Sequence, residues 1–279
     1  MTPILSIITP CYNSAATLEA TLESVLNQDF QDWETIIVND GSTDSTEEIA
    51  LKWVNRDSRF KYFSKKNEGL GKARNYGISN ANGKLILPLD SDNHIFKDFV
   101  NKAITIFEKK PEISVVYGYA EYFGERKGLW KIDDFDIQKM LVHNYIDACA
   151  VYKKELWEKV GGYDEKMPYQ GHEDWEFWIA LASIGAVFYN LHTLTFRYYV
   201  SSKSMIHSFN KDMVFLNQDY IVKKHSKLFH DEYSKMFSLG ESKIQETLAR
   251  FKSRKYVIDL FCNTFFGFTI FKKSLDQNR

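Results

Sequence analysis

Four short apolar runs in the first hundred residues, each followed by a polar cluster or a helical pattern, constrain the fold more than any other feature. Ile4–Thr9 is a β-branched run stopped by Pro10. Thr35–Val38, Phe60–Phe63 and Lys84–Leu89 read as three more strands. Between them, Leu18, Leu22, Val25 and Leu26 recur at helical spacing, as do Ile49, Ala50, Trp53 and Val54, and 72–79 forms a short helix. Asp44 with Glu47 three residues on has the pattern of a capping box opening the second helix. Strands that are apolar throughout, separated by helices, predict an α/β fold: a mostly parallel, Rossmann-like sheet covered on both faces. Ligands of such sheets sit beyond the carboxyl ends of the strands. Tyr12-Asn13, Asn39-Asp40 and Asp90-Ser91-Asp92 all fall there.

Beyond a helix carrying Phe99, Ala103, Ile104 and Phe107, the pattern loosens. Ile113–Tyr117 and Tyr145–Tyr152 read as strands, Lys154–Val160 as a helix stopped by Gly161-Gly162, and Glu173–Ser183 as a helix burying Phe177, Trp178, Leu181 and Ala182. From about residue 210 the chain is helical and amphipathic, which predicts a domain over 1–210 and a C-terminal helical extension over 211–279. Hydrophobic residues at 44% exclude a disordered chain, and a net charge of -1 gives no field for nucleic acid. Cys11, Cys149 and Cys262 form no CxxC pair and read as reduced thiols, consistent with the cytoplasm. The first ten residues read as a strand rather than a signal peptide.

Asp90-Ser91-Asp92 is the sharpest chemical signal. Two carboxylates at i and i+2 point to opposite faces of a strand and converge only in a turn at its end. Their repulsion is relieved by a hard divalent cation, Mg²⁺ or Mn²⁺, which keeps sites free for phosphate oxygens. A lone acidic turn is more often solvated, but this one follows an apolar strand at the sheet edge that also carries Asp40. A nicotinamide enzyme would place an acid like Asp40 there too. It would need a glycine-rich first turn, however, and Pro10-Cys11-Tyr12-Asn13-Ser14 has no glycine. Asn67 through Asn75, with Gly69, Gly71, Lys72 and Arg74, suits an anionic ligand at a helix start, although Arg74 could equally pair with a neighbouring acid. Gly171-His172-Glu173-Asp174-Trp175 offers either a helix cap or a general base beside an aromatic platform, with one of the two acids facing a pocket.

The ordered set resembles the family 2 glycosyltransferases, inverting enzymes of GT-A fold that use nucleotide sugars. The resemblance runs through Ile8–Asn13, Val38–Asp44, Asn67–Gly69, Ala73–Asn75, Asp90–Asp92, Gly161–Asp164 and Glu173-Asp174, and covers roughly residues 3 to 207. It implies that Pro10, Tyr12 and Asp40 hold the donor nucleobase, with Asn67 and Arg74 completing the pocket and Asn13, Gly69 and Ser91 also binding the donor. Asp90 would meet the ribose, Asp92 the metal, and Asp174 would be the base that deprotonates the acceptor. Asn93 stands where many relatives carry another acid, and His207 is the candidate second metal ligand.

The expected activity is transfer of a sugar from a nucleoside diphosphate sugar, a UDP-sugar by preference, to a glycan or lipid-linked acceptor in surface polysaccharide synthesis. The alternatives are a non-catalytic nucleotide-sugar-binding or scaffolding protein of the same fold and, ranked third, an NAD-dependent oxidoreductase. The apolar run Tyr256–Phe271, 16 residues flanked by Arg250, Lys252, Arg254, Lys255, Lys272 and Lys273, is too short to span a bilayer. It suits a helix lying on the inner face of the membrane, or one packed on protein, as in a homodimer.

Overall fold

The computed structural model describes residues 2–202 and 209–271. Four parallel strands, β1 (Leu5–Cys11), β2 (Trp33–Asp40), β3 (Phe60–Lys65) and β4 (Leu85–Pro88), form the first half of a nine-stranded sheet. The second half is mixed. It contains β5 (His94–Ile95), β6 (Val115–Gly124), β7 (Gly128–Trp130), β8 (Val151–Lys153) and β9 (Phe188–Val200). The order is β3-β2-β1-β4-β8-β6-β9-β5, with β7 on β6. β8 runs antiparallel to both β4 and β6, whereas β6 and β9 are parallel. The doubly covered parallel sheet expected from the sequence therefore extends as far as β4 and continues as a mixed sheet.

Alternate residues of each central strand feed two cores. Leu5, Ile7 and Ile37 pack with α1 (Leu18–Leu26), α2 (Thr46–Arg56) and α4 (Phe99–Lys109). Ile8, Ile36 and Val38 face α3 (Leu70–Ser79). Helix α3 approaches closely because of Gly77: a Cβ there would come within 2.5 Å of Ile8 Cγ2. Three further helices, α5 (Ile137–Val142), α6 (Lys154–Val160) and α7 (Glu173–Ser183), surround the mixed half of the sheet.

Three local expectations are corrected. Helix α2 begins at Thr46 with Ser45 at its cap, so Asp44 does not form the capping box. Instead its carboxylate accepts Thr46 N at 3.1 Å and Ala15 N at 3.0 Å, tying two strand-end loops together. Of Tyr145–Tyr152, only the end is strand. Asn144 and Asp147 accept the backbone N–H two residues on, from Ile146 and Cys149, and these turns break extended pairing. β9 was not anticipated, because His192 sits in the left-handed region at φ 53° and interrupts its alternation.

The chain forms two compact units, 1–225 and 226–279. α8 (Lys211–Lys224) belongs to the first. In it, Lys224 pairs with Glu176 at 2.8 Å and with Asp164, and His225 meets Glu176 at 2.6 Å. The second unit contains α9 (Ser226–Phe251) and α10 (Arg254–Phe266), which contact each other. No helix among the described residues is long and apolar enough to cross a membrane.

Candidate active site

A cavity of about 930 Å³ opens at the carboxyl ends of β1, β2 and β4. Pro10, Tyr12, Asn13, Asp40, Asn67, Gly69, Arg74, Asp90, Ser91, Asp92 and Asp174 all line it. His207 lies outside the described residues.

Several of these side chains also hold the cavity in shape. Asn13 sits at φ 51°, a conformation Asn tolerates, and its Oδ1 accepts Thr43 N at 2.8 Å. Asp40 is buried at the end of β2. It accepts Lys65 Nζ at 2.8 Å, Glu68 N at 3.1 Å and Gly69 N at 2.8 Å, so it clamps the loop that opens α3. Gly69 occupies φ 98°, which a residue with a Cβ rarely adopts. Asn75 faces away from the cavity. Its Oδ1 accepts Tyr163 N and Trp157 Nε1, and its Nδ2 donates to Tyr163 O, which joins α3 to the segment after α6. Tyr12 is 55% exposed at the rim, free to stack on a flat ligand.

Arg74 is buried, and its Nη2 meets Asp90 Oδ1 at 2.7 Å. Burial opposes its charge, but Asp90, Tyr163, Asp174 and Glu173 together hold the guanidinium above its ordinary range. Its Nε has no partner among the described residues. Ser91 Oγ bonds to Ser14 Oγ at 2.7 Å, which fixes the acidic turn against the first loop. Asn93 is buried, and its Oδ1 accepts Tyr199 N at 2.9 Å. Asn93 therefore tethers β9 while it lines the cavity, and the carboxylates of the turn are those of Asp90 and Asp92.

Asp92 receives no hydrogen bond from another side chain among the described residues. Burial, then the charge of Asp90, pushes it up to about 7. Arg74 pairs with Asp90 and Asp92 has no ion-pair partner among the described residues, and hard oxygen ligands of this kind suit Mg²⁺ or Mn²⁺. No group of three His, Cys, Asp or Glu among the described residues forms a cage for a metal. A cation held by one or two carboxylates and substrate phosphates needs no such cage.

Both acids at the start of α7 reach the cavity, where the sequence reading expected one. Glu173 is buried and accepts Gly171 N at 2.8 Å. Asp174 accepts Trp175 N at 2.8 Å and Asn144 Nδ2 at 2.9 Å. Burial raises Asp174 to about 6; Arg74 opposes that rise and Glu173 adds to it. A carboxyl poised near neutrality is suited to general-base work. Trp175 points its indole N–H away, to Met140 O at 2.6 Å, and so anchors α5 behind the site.

The sequence points to the irregular stretches 120–146 and 163–172 as acceptor loops, and both reach the cavity, but it singles out no residue of 120–146 and misses Asp147, Tyr198 and α8. Trp130, His143, Asn144, Asp147 and Tyr198 line the same cavity, as do Val214 and Gln218 of α8. Burial, then Asp90, pushes Asp147 up to about 8. The available signal was an acid inside the apolar run Ile146-Asp147-Ala148-Cys149, a position that makes sense only facing a polar cavity.

Comparison with known proteins agrees with this architecture. Residues 6–161 match the glycosyl transferase family 2. An uncharacterized glycosyltransferase of Rickettsia typhi is 30% identical over 228 residues, covering 77% of this chain and 68% of the relative. The chondroitin synthase of Pasteurella multocida is 29% identical over 187 residues, 66% of this chain but only 19% of that protein. Among solved structures, S. aureus TarS 1-349 in complex with UDP-GlcNAc superposes with a TM-score of 0.65 at 21% identity, over 76% of this chain and 64% of that one. A mannosyltransferase of Pyrobaculum calidifontis in complex with GDP-Man and Mn²⁺ superposes with a TM-score of 0.56 at 19% identity, over 73% and 59%. At those identities the superpositions establish a shared fold, and the sequence match establishes kinship: the chain belongs to the glycosyl transferase family 2.

Proposed function

We propose that the chain transfers a sugar from a UDP-sugar to a hydroxyl of a glycan or lipid-linked acceptor, with inversion, in the assembly of a surface polysaccharide. The observation that carries this reading is one cavity lined by both the acidic turn Asp90-Ser91-Asp92 and the raised carboxyl of Asp174. Tyr12, Asp40, Asn67, Gly69 and Arg74 form the nucleotide end. Asp90 and Ser91 face the ribose, and Asp92 is the residue that would hold a divalent cation, with His207 as a second ligand. When bound, that cation supplies Lewis-acid neutralisation of the departing diphosphate. Asp174 takes the acceptor hydroxyl proton as that oxygen bonds to the anomeric carbon. The bond from the anomeric carbon to the diphosphate breaks on the opposite face, and the nucleotide leaves with the electron pair.

The test is a thermal-shift panel of UDP, UDP-glucose, UDP-GlcNAc and GDP-mannose, with and without Mn²⁺, followed by donor hydrolysis without acceptor. A UDP-sugar with Mn²⁺ at a hundredfold excess over its Kd adds about 2.7 kcal/mol, or roughly 5–10 °C in Tm. Slow release of free sugar should accompany it. A shift with GDP-mannose alone would overturn the choice of base. Stabilisation with no hydrolysis and no transfer would favour a nucleotide-sugar-binding protein over an enzyme.

We propose further that the second unit attaches the enzyme to an anionic membrane, where a lipid-linked acceptor resides. Val257, Ile258, Phe261, Phe265, Phe266 and Phe268 are exposed along and just after α10. Arg250, Lys252, Arg254 and Lys255 precede them, and each basic residue near an anionic leaflet is worth about 1 kcal/mol. The full chain should co-sediment with phosphatidylglycerol vesicles at low salt. Deleting residues 250–279 should release it while UDP affinity stays the same. A full chain that ignores such vesicles, or that buries these residues in a stable dimer, would overturn the proposal.

A further inference from the structure

Building on the donor site proposed above, we infer that Asp147 binds the transferred sugar itself, its carboxyl group exchanging hydrogen bonds with ring hydroxyls. Asp147 lies in the 143–150 loop between α5 and β8 and lines the cavity together with Asp90 and Asp174. Among the charges that act on its carboxyl, Asp90 is foremost, and Asp174 also contributes. Those two acids mark the nucleotide end and the reacting end of the cavity. The sugar ring is the part of the donor that continues past the diphosphate, and its hydroxyls need polar partners in this cavity that the nucleotide-binding residues do not supply.

Its neighbours have the matching chemistry. Tyr198 lines the same cavity, and after burial it is the charge of Asp147 that acts most strongly on its phenol. Trp130 stands edge-on to Tyr198, with ring centroids 5.8 Å apart at 90°. Aromatic faces beside a polar group able to take hydroxyls suit a sugar ring, which is apolar on its C–H face and polar at its rim.

Two other roles for Asp147 can be told apart from this one. The turn it closes needs only one side-chain oxygen, accepting Cys149 N at 2.9 Å. Asn would close that turn without placing a second acid near Asp90, so the turn leaves the carboxyl unexplained. Metal binding predicts a different result: loss of a metal ligand weakens UDP and UDP-sugar alike in Mn²⁺, which the experiment below reads.

The experiment is calorimetric titration of the full chain, in Mn²⁺, with UDP, UDP-glucose, UDP-galactose and UDP-GlcNAc. It compares the wild type with Asp147→Ala and Asp147→Asn. Asp147→Ala should leave the Kd for UDP within about twofold and weaken the preferred UDP-sugar about tenfold or more, the scale of leaving buried polar groups without their hydrogen bonds. Asp147→Asn retains an oxygen for Cys149 N and should show a smaller, several-fold loss in the same direction. That variant decides the matter if the alanine protein does not fold. Equal weakening of UDP and UDP-sugar would overturn the inference in favour of a structural or diphosphate role, as would unchanged UDP-sugar affinity. A wild type that binds none of the four ligands would overturn the donor reading itself, and this inference with it, before any variant is compared.

Discussion

Asp174→Asn is expected to lower kcat by about 10²- to 10⁴-fold, the usual contribution of a positioned base, and to leave the Kd for the UDP-sugar within about threefold. The separation follows from geometry. Asn in place of Asp174 keeps an oxygen for Trp175 N. What disappears is the ability to take a proton, together with the second oxygen, which accepts Asn144 Nδ2. The wild-type pH profile should carry the same signature. Burial chiefly lifts Asp174 from 3.8 to about 6, and the ionised form is the working one, so kcat/KM should fall about tenfold per unit as pH drops below about 6. The residual activity of the variant should lack that limb. Donor affinity falling in step with turnover would make Asp174 a structural residue. Equal loss from Glu173→Gln would move the base to Glu173, whose carboxylate is held by Gly171 N.

Asp92→Asn should remove the dependence of donor binding on Mn²⁺ and weaken UDP in its presence about a hundredfold. The remaining affinity should match that of the wild type without metal. Asp92 is a cleaner probe than Asp90, because Asp90 is the ion-pair partner of buried Arg74. Leaving a buried charge unpaired typically costs 3–5 kcal/mol, and loss of binding in an Asp90 variant would be mixed with misfolding. Asp92 receives no side-chain hydrogen bond among the described residues, so an amide there disturbs little. Titration of UDP with and without Mn²⁺ reads the effect, and unchanged metal-dependent affinity would sink the metal assignment.

The half of the cavity built on the strand ends was legible in the sequence because each of its parts is local: an apolar strand, then a polar turn, then a helix. Tyr12, Asp40 and Asp92 follow from that grammar alone. Helices α6 and α7 lie where their apolar spacing and flanking glycines put them. The opposite wall was hidden for a physical reason. Trp130, Asp147 and Tyr198 come from a hairpin, a loop and a long strand whose pairing is non-local, and nothing in their neighbours' spacing reveals that they meet. Asn144 and Asp147 turn a strand-like run into a loop by capturing backbone N–H groups. His192 hides a thirteen-residue strand by breaking its alternation. Asp44 and Asn93 carried plausible local roles, as a cap and as a replaced ligand, that tertiary contacts redirected.

The burial of Asp92, Asp147 and Asp174 along one cavity has a consequence for folding. Asp92, Asp147 and Asp174 sit at about 7, 8 and 6 in the native chain against an ordinary 3.8. Between about pH 4 and 8 these three groups hold protons in the native chain that they have released in the unfolded one, so their contribution to the stability of the empty protein falls as pH rises through that window. The penalty is absent below it and complete above it. Replacing these acids by neutral residues of similar shape is expected to raise the stability of the empty protein above about pH 6 and, on the function proposed above, to remove its activity. The chain holds a pocket of unneutralised charge that becomes comfortable only when protons or its ligands arrive, an instance of fold stability conceded to function.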